Sequence, residues 1–256
     1  MKVEHIPTRI RSVSRAAAAL EAVARRGGGG MRAGEIAATL NVPLPTAYHL
    51  VNTLADEGLL TKTEDRRYQL GPKVGLLAEA FAAQLVAPEF LLSRLRELSE
   101  RTGETAYLSA WRRGDAILLS IIDGHRAVRV AGLHEGYSGL AHARASGKVL
   151  LAYGRPGTLE AYLRRHSMET RTKRTVTGAK ELEEEIARTR AAGYAIDEEE
   201  FAEGVACVAA PVADGTMAMG ISAPVERFRA LRAELIGAVL EVTSATIDPS
   251  LWTATA

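Results

Sequence analysis

The chain of 256 residues has a single cysteine, Cys207, which excludes an internal disulfide and fits a reducing cytoplasm. It has no apolar run approaching the ~18 residues of a membrane-spanning helix. The opening MKVEHIPTRIRS lacks the apolar centre of a secretory signal. A soluble cytoplasmic protein without a membrane partner is therefore expected. Strong net charge is also missing: +1 overall argues at first against nucleic acid. The distribution is more informative than the sum. Residues 1–71 hold 10 Lys/Arg against 7 Asp/Glu, whereas the rest holds 22 against 24. The early cations include Arg9, Arg11, Arg15, Arg32, Lys62, Arg66 and Arg67, a mild basic footprint. There is no internal repeat, and no low-complexity tract beyond GGGG at 27–30.

What is present begins with helical periodicity. Ser12 is placed to cap a helix with Val13, Ala16, Ala17, Leu20, Val23 and Ala24 as its apolar face, and the four glycines end it. GEIAATL predicts a second short helix that buries Ile36, Ala37 and Leu40. After the turn Asn41-Val42-Pro43 comes PLPTAYHLVNTL at 43–54, in which Ala47, Leu50, Val51 and Leu54 share one helical face. Thr46, Tyr48, His49, Asn52 and Thr53 fall on the other, an uncharged polar face on a helix too short to stand alone. LLTKTEDRRYQLG then predicts a hairpin with strands at 59–63 and 67–70 around a Glu-Asp tip. Three helices and a two-stranded wing, the second and third helices joined by a tight turn, make a winged helix-turn-helix.

Beyond Pro72 the spacing of Val74, Leu77, Ala78, Phe81 and Leu85 predicts a linking helix over 72–88, whose apolar stripe would pack on a partner in a dimer. Phe90, Leu91, Leu95 and Leu98 mark another helix, closed by Thr102-Gly103. From Glu104 the period drops to two, and TAYLSAW, AILLSII and AVRVAG predict three strands. Helices follow at about 146–153, 158–166 and 179–192, then strands at about 194–197, 205–213 and 216–222, then a long closing helix at about 225–246 with Phe228, Leu231, Leu235, Val239 and Leu240 inward. Strands, a helical insert, strands and a closing helix indicate an α/β domain on a largely antiparallel sheet, and an α+β chain overall.

SVSRAAAAL, PTAYHLVNTLADEGLL and YQLG in the first part, and ELSERTGETAYLS, AHARASGKVLLA, RAAGYAIDEEEFAEGVACVAAPV and GISAP in the second, occur in an order and spacing that resemble the IclR family of bacterial transcriptional regulators over essentially the whole chain. The resemblance implies a winged helix-turn-helix DNA-binding domain at 9–71 (helix-turn-helix about 32–54), a linker helix at 72–88 and a GAF-like effector-binding domain at 89–250. It also implies a homodimer or homotetramer on a palindromic double-stranded DNA operator, and a small organic or aromatic acid as effector. No cofactor, metal or catalytic step is implied. Two departures concern the third helix: many members carry serine at the position of Pro45 and arginine at that of His49. Proline keeps a helix-start geometry but cannot cap, and histidine removes a phosphate clamp or guanine reader.

Thr46, Tyr48, His49 and Asn52 are placed to meet DNA from this third helix, beside Pro45 at its start. Asn bonds an adenine edge, a Thr methyl touches thymine, and hydroxyls meet phosphates. The alternative is that Tyr48 packs on the first helix and His49 only solvates the surface. Lys62, Arg66 and Arg67 flank the wing tip, suited to phosphate contact or to solubility alone. By resemblance, effector contacts fall on Val128, Gly139, Ala145, Ser146, Asp197, Cys207 and Ser222. Ser146 is also placed to cap a helix whose first free amides, at Gly147 and Lys148, attract a carboxylate. The DEEE run at 197–200 is expected to be a solvated loop rim, Lys148 to stabilise nearby loops, and His142 lacks partners at zinc spacing. Two weaker readings use Cys207: a redox sensor through an intermolecular disulfide, or an enzyme with Cys207 as nucleophile and His142 or His134 as base. VACVAAPV reads as a buried strand, where a thiol is usually inert.

Overall fold

Four glycines in a row cannot sustain a helix, and the turn they make also lets two backbones meet. The computed structural model describes residues 10–82, 86–126 and 134–245, and the chain divides at 84/85 into two compact units. In the first, helix α1 (Arg11–Arg26) ends at Gly27, whose φ of 67° is left-handed. A side chain at Gly30 would lie 2.8 Å from the Tyr68 carbonyl, so glycine there admits the wing strand. That approach is cemented by Met31 N to Tyr68 O at 2.9 Å and Tyr68 N to Met31 O at 2.8 Å. Helices α2 (Ala33–Leu40) and α3 (Leu44–Asp56) follow, then strands β1 (Leu60–Lys62) and β2 (Tyr68–Leu70), antiparallel, and helix α4 (Pro72–Ala82). Ala19, Ala22, Val23, Ile36, Val51 and Leu60 form the small core.

Several expectations shift here. Ile10, not Ser12, occupies the cap of α1, without a side-chain bond, and Ser12 lies within the helix. The inward face of α1 is rotated: Val13 is 63% exposed while Ala19 and Ala22 are buried. In the run Ala16-Ala17-Ala18-Ala19 every position is small and apolar, so periodicity does not single out one face. The linking helix is described over Pro72–Ala82, residues 83–85 lie outside the described residues, and 86–88 are not helical.

The second unit is a five-stranded sheet in the order β4-β3-β7-β6-β5, antiparallel throughout. Its strands are β3 (Thr105–Arg112), β4 (Asp115–Ile122), β5 (Ala195–Glu198), β6 (Val205–Val212) and β7 (Met217–Pro224). Side chains alternate between two faces. Ala106, Leu108, Val208, Ala210, Met219 and Ile221 pack on α5 (Glu89–Thr102), α9 (Val225–Ala230) and α10 (Arg232–Ser244). Tyr107, Cys207, Ala209 and Ala218 point the other way, towards α6 (Ala145–Tyr153), α7 (Thr158–Arg165) and α8 (Ala179–Ala192). The α+β architecture is as expected. The closing helix is broken at Leu231, where ψ rises to 20°, and Phe90 is 55% exposed although Leu91, Leu95 and Leu98 are buried. The expected strand AVRVAG lies at 127–132, outside the described residues.

Candidate functional site

On α3 the apolar positions are met as expected: Ala47, Val51 and Leu54 are buried, with Leu50 packed beside them. Tyr48, His49 and Asn52 are exposed and Thr46 is half-buried. Pro43 caps the helix, Leu44 is the first helical residue and Pro45 the second. The first ladder bond, Ala47 N to Pro43 O at 3.1 Å, leaves Pro45 at a position where no intrahelical donor is needed. The polar residues are divided between two grooves. Tyr48 lines a groove of about 770 Å³ with Arg32, Leu44, Lys62, Arg66 and Tyr68. Thr46 and His49 line one of about 420 Å³ on the α1 side, with Val13 and Arg15. Tyr48 therefore faces the wing rather than α1. Arg32, outside the expected set, belongs to the same groove; its place directly ahead of α2 was the available signal.

The wing cations differ from one another. Arg67 is held inward, donating to Gly30 O at 3.3 Å and pairing with Asp65 at 3.1 Å and Glu35 at 3.6 Å. Lys62 is exposed over the Tyr68 ring, 5.8 Å from its centroid. Arg66 is exposed at the tip with φ of 60°, a left-handed conformation unusual for arginine, and has no ion pair among the described residues. Asn52 is engaged within the unit: Tyr68 Oη donates to its Oδ1 at 3.1 Å, which ties α3 to β2. That bond leaves Asn52 less free for a bidentate adenine contact than its position alone implied.

In the second unit a polar row crosses the sheet. Asp197 pairs with Cys207, and Cys207 with Ser222, on β5, β6 and β7. The adjoining row is Ala195, Ala209, Gly220 and Tyr107, small side chains beside one large one. Helix α6 lies over this face. Its cap is Arg144, not Ser146. Ser146 sits in the first turn and receives a hydrogen bond from Ser109 Oγ at 3.1 Å. Lys148 N already donates to Arg144 O at 2.9 Å, so the amides ahead of the ladder are those of Ala145, Ser146 and Gly147. Gly147 is required sterically: a Cβ there would lie 2.2 Å from the Ala141 carbonyl.

Charge inside this region is arranged around two cations. Lys148 is fully buried, with Nζ 3.0 Å from Ile196 O, 2.5 Å from Glu200 Oε1 and 3.7 Å from Glu185 Oε2. It pins the end of β5 to the following turn. Asp197 is 2% exposed, and its Oδ1 accepts from Glu200 N at 2.7 Å and Phe201 N at 3.2 Å. Burial raises Asp197 to about 6 and Glu200 to about 7, against the pull of Lys148. The solvated-rim reading of 197–200 is thus corrected: Asp197 is buried, while Glu198 binds Arg229 and Arg232 at 2.8 and 3.0 Å and Glu199 binds Arg174 at 3.4 Å. Arg144 is 5% exposed, donates from Nη1 to Ala116 O at 3.1 Å and Gly139 O at 3.2 Å, and stacks 5.2 Å from the Tyr137 centroid. Gly139 thus joins the group through its carbonyl, and Val128 lies outside the described residues.

Cys207 is enclosed, 3.4 Å from Ser222 Oγ, and burial pushes its thiol up to about 12. Little thiolate exists at neutral pH, which disfavours nucleophilic or redox chemistry. His142 spends its ring on Tyr162 Oη at 2.7 Å and Glu169 O at 3.1 Å, and His134 Nδ1 lies 2.9 Å from Glu135 O. Among the described residues no group of three or more His, Cys, Asp or Glu is placed to hold a metal ion, and no helix is long and apolar enough to cross a membrane. Tyr107, Ser109, Arg144 and Tyr137 were missed from sequence. For the first two a signal existed: in TAYLSAW the odd positions carry Tyr, Ser and Trp, a more polar face than Ala-Leu-Ala.

The model of the IclR helix-turn-helix domain matches residues 12–64, and that of the bacterial transcriptional regulator IclR C-terminal domain matches residues 89–248. The chain is 36% identical over 217 residues to the HTH-type transcriptional regulator BhcR of Paracoccus denitrificans, covering 83% of this chain and 76% of that one. It is 33% identical over 250 residues to the glycerol operon regulatory protein of Streptomyces griseus, covering 92% and 94%. The crystal structure of an IclR-type regulator from Silicibacter superposes with a TM-score of 0.64 at 28% identity, over 92% of this chain and 96% of that one. An IclR homologue from Microbacterium hydrocarbonoxydans, complexed with 4-hydroxybenzoate, shares the fold with a TM-score of 0.63 at 21% identity, over 91% and 98%. With both halves of the chain matched in order, and with a polar-faced third helix and a covered sheet in the places those halves require, the chain belongs to the IclR family of bacterial transcriptional regulators.

Proposed function

We propose that the first unit binds double-stranded operator DNA and that the second unit alters this binding when it holds a small organic acid. The observation that carries the DNA reading is the exposed, uncharged face of α3 beside a groove whose cations, Arg32, Lys62 and Arg66, come from outside the helix. Base edges would be read from Thr46, Tyr48 and His49, with Pro45 setting the start of the helix. Asn52 acts chiefly by holding the wing to the helix through Tyr68. Lys62 and Arg66 supply phosphate contacts, and Arg67 braces the hairpin. With little charge on the helix itself, recognition rests more on hydroxyls, apolar contacts and groove shape than on arginine forks.

Functional boundaries at 9–71, 72–88 and 89–250 fit this division of labour. Leu76, Leu77 and Phe81 on α4 are 65%, 55% and 37% exposed, a surface suited to a second copy, so a homodimer or homotetramer on a palindromic site is the assembly proposed. The effector region comprises Ala145, Ser146, Gly139, Asp197, Cys207 and Ser222, joined by Arg144 and Tyr107. A fold neighbour is complexed with 4-hydroxybenzoate, an acid of the class proposed. Neither enzyme chemistry nor a cofactor is invoked, and the cytoplasm is the compartment proposed. Ligand binding would shift an equilibrium between two arrangements of the paired winged units.

The test is the salt dependence of DNA affinity. Arg66→Ala should weaken binding to all sequences alike and lower the salt slope by about 1. An unchanged slope in Arg66→Ala and in Lys62→Ala would remove the wing from the interface.

A further inference from the structure

Arg144 is a buried cation near the polar row whose hydrogen bonding is left incomplete by the described residues. It is 95% removed from solvent, yet only Nη1 donates, to Ala116 O and Gly139 O. Among the described residues Nε and Nη2 have no acceptor, and no carboxylate lies within 4.0 Å of the guanidinium. Those nitrogens are not sealed within protein either: among the described residues the fully enclosed side-chain N or O without a partner is Glu200 Oε2. The free donors of Arg144 therefore keep some accessible surface. A buried guanidinium without a counter-ion is costly, and a bidentate carboxylate is the partner whose geometry matches its planar fork.

The surroundings fix where that surface lies. Arg144 is the cap of α6, so its backbone adjoins the leading amides of Ala145, Ser146 and Gly147, while its guanidinium reaches Ala116 O and Gly139 O. Its field acts on Tyr107, Asp197 and Cys207, which ties it to the polar row of the sheet. Tyr137 covers one face of the guanidinium, and Phe201 meets Tyr137 edge-on at 5.6 Å, forming an apolar wall. Other charges nearby do not substitute for a ligand. Lys148 is already satisfied by Glu200, and Asp197 spends Oδ1 on backbone amides.

We propose that the effector is a small carboxylic acid whose carboxylate docks on the buried guanidinium of Arg144, so that Arg144 is the residue that discriminates acids from their neutral analogues. This rests on the effector-region reading above and adds to it a receptor for the charge. The amides of Ala145 and Ser146 share the carboxylate, and the Tyr137–Phe201 wall meets the body of the acid.

The test uses the full-length protein and matched pairs that differ only in charge: 4-hydroxybenzoate against 4-hydroxybenzamide, and lactate against lactamide, followed by melting temperature and calorimetric titration. Binding of at least one acid, at least tenfold tighter than its amide, supports the proposal. Arg144→Gln should abolish the preference, and Arg144→Lys should retain part of it, because a point charge replaces the fork. The wild-type comparison of acid with amide stands even if a variant folds poorly. Equal binding of acid and amide, lost in Ser222→Leu, would keep the pocket and overturn the role of Arg144. Acid binding by Arg144→Gln at wild-type strength would overturn it too. No binding by any member of either pair would overturn both this inference and the effector region on which it rests.

Discussion

The polar residues of α3 and those of α6 and the sheet beneath it share little beyond their hydroxyls, and they sit in opposite settings. On α3, Tyr48, His49 and Asn52 are exposed, and among them only Asn52 is tied by a hydrogen bond to another element. Beneath α6, Ser146, Lys148, Asp197, Cys207 and Ser222 are all buried and mostly bonded to one another or to backbone. An exposed polar face carries little folding energy and is free to change its partner; a buried one is structural until a ligand replaces water or fills a gap. Setting thus separates the face proposed to read DNA from the region proposed to sense a ligand.

That contrast breaks most sharply at Lys148. Lys148→Ala should destabilise the second unit by roughly 3–5 kcal/mol, since it leaves Glu200 buried without its cation. Denaturant unfolding would show it, and a loss under about 1 kcal/mol would mean that the buried network is not what holds β5 to α6. Among its described residues the first unit contains no comparable pair, and substitutions at His49 or Tyr48 should shift stability by less than about 0.5 kcal/mol.

A second measurement concerns pH. Asp197 is raised from its ordinary 3.8 to about 6 by burial, so the folded state holds its proton more tightly than the unfolded state does. Stability from this group is complete below about pH 4 and is lost as pH rises through 6. Glu200 adds a parallel decline between its ordinary 4.5 and about 7. Asp197→Asn keeps an oxygen for the two backbone amides while removing the charge. It should match the wild type near pH 4 and exceed it by about 2 kcal/mol at pH 7.5. Superimposable stability profiles for the two proteins would contradict a buried Asp197 that titrates in this range.

A smaller effect sharpens the other side of the comparison. Arg66 occupies a left-handed position at the wing tip, where glycine is preferred. Arg66→Gly should stabilise the first unit by a few tenths to about 1 kcal/mol while weakening DNA binding. A loss of stability would show that the arginine is placed by contacts within the hairpin, and not held there for a partner.

How much of this was legible in sequence follows from the range of the interactions. Residues 43–54 were readable because the period of a short helix is local, and Ala47, Leu50, Val51 and Leu54 point inward as their spacing requires. The wing was readable from its turn chemistry. The 197–200 run was not, since four acids in a row look solvated, and their partners Lys148, Arg174, Arg229 and Arg232 arrive from distant segments. The break at Leu231 was hidden because apolar spacing continues across it on both sides. Arg144 was missed for a similar reason: a charged residue beside Ala145 reads as surface until the sheet is folded over it. Ser146, expected to cap α6, instead lies in its first turn and accepts a hydrogen bond from Ser109 on β3, a contact no local pattern announces.

The central claim is that the exposed face of α3 reads DNA. Selection of bound sites from a random double-stranded library tests it directly, comparing the wild type with a Tyr48→Ala, His49→Ala double variant at fixed salt. The wild type should enrich a palindrome whose half-sites lie about one helical turn, or a multiple, apart, and the double variant should enrich a weaker or altered site. Identical enriched sites from both proteins, or none from the wild type, would contradict the account.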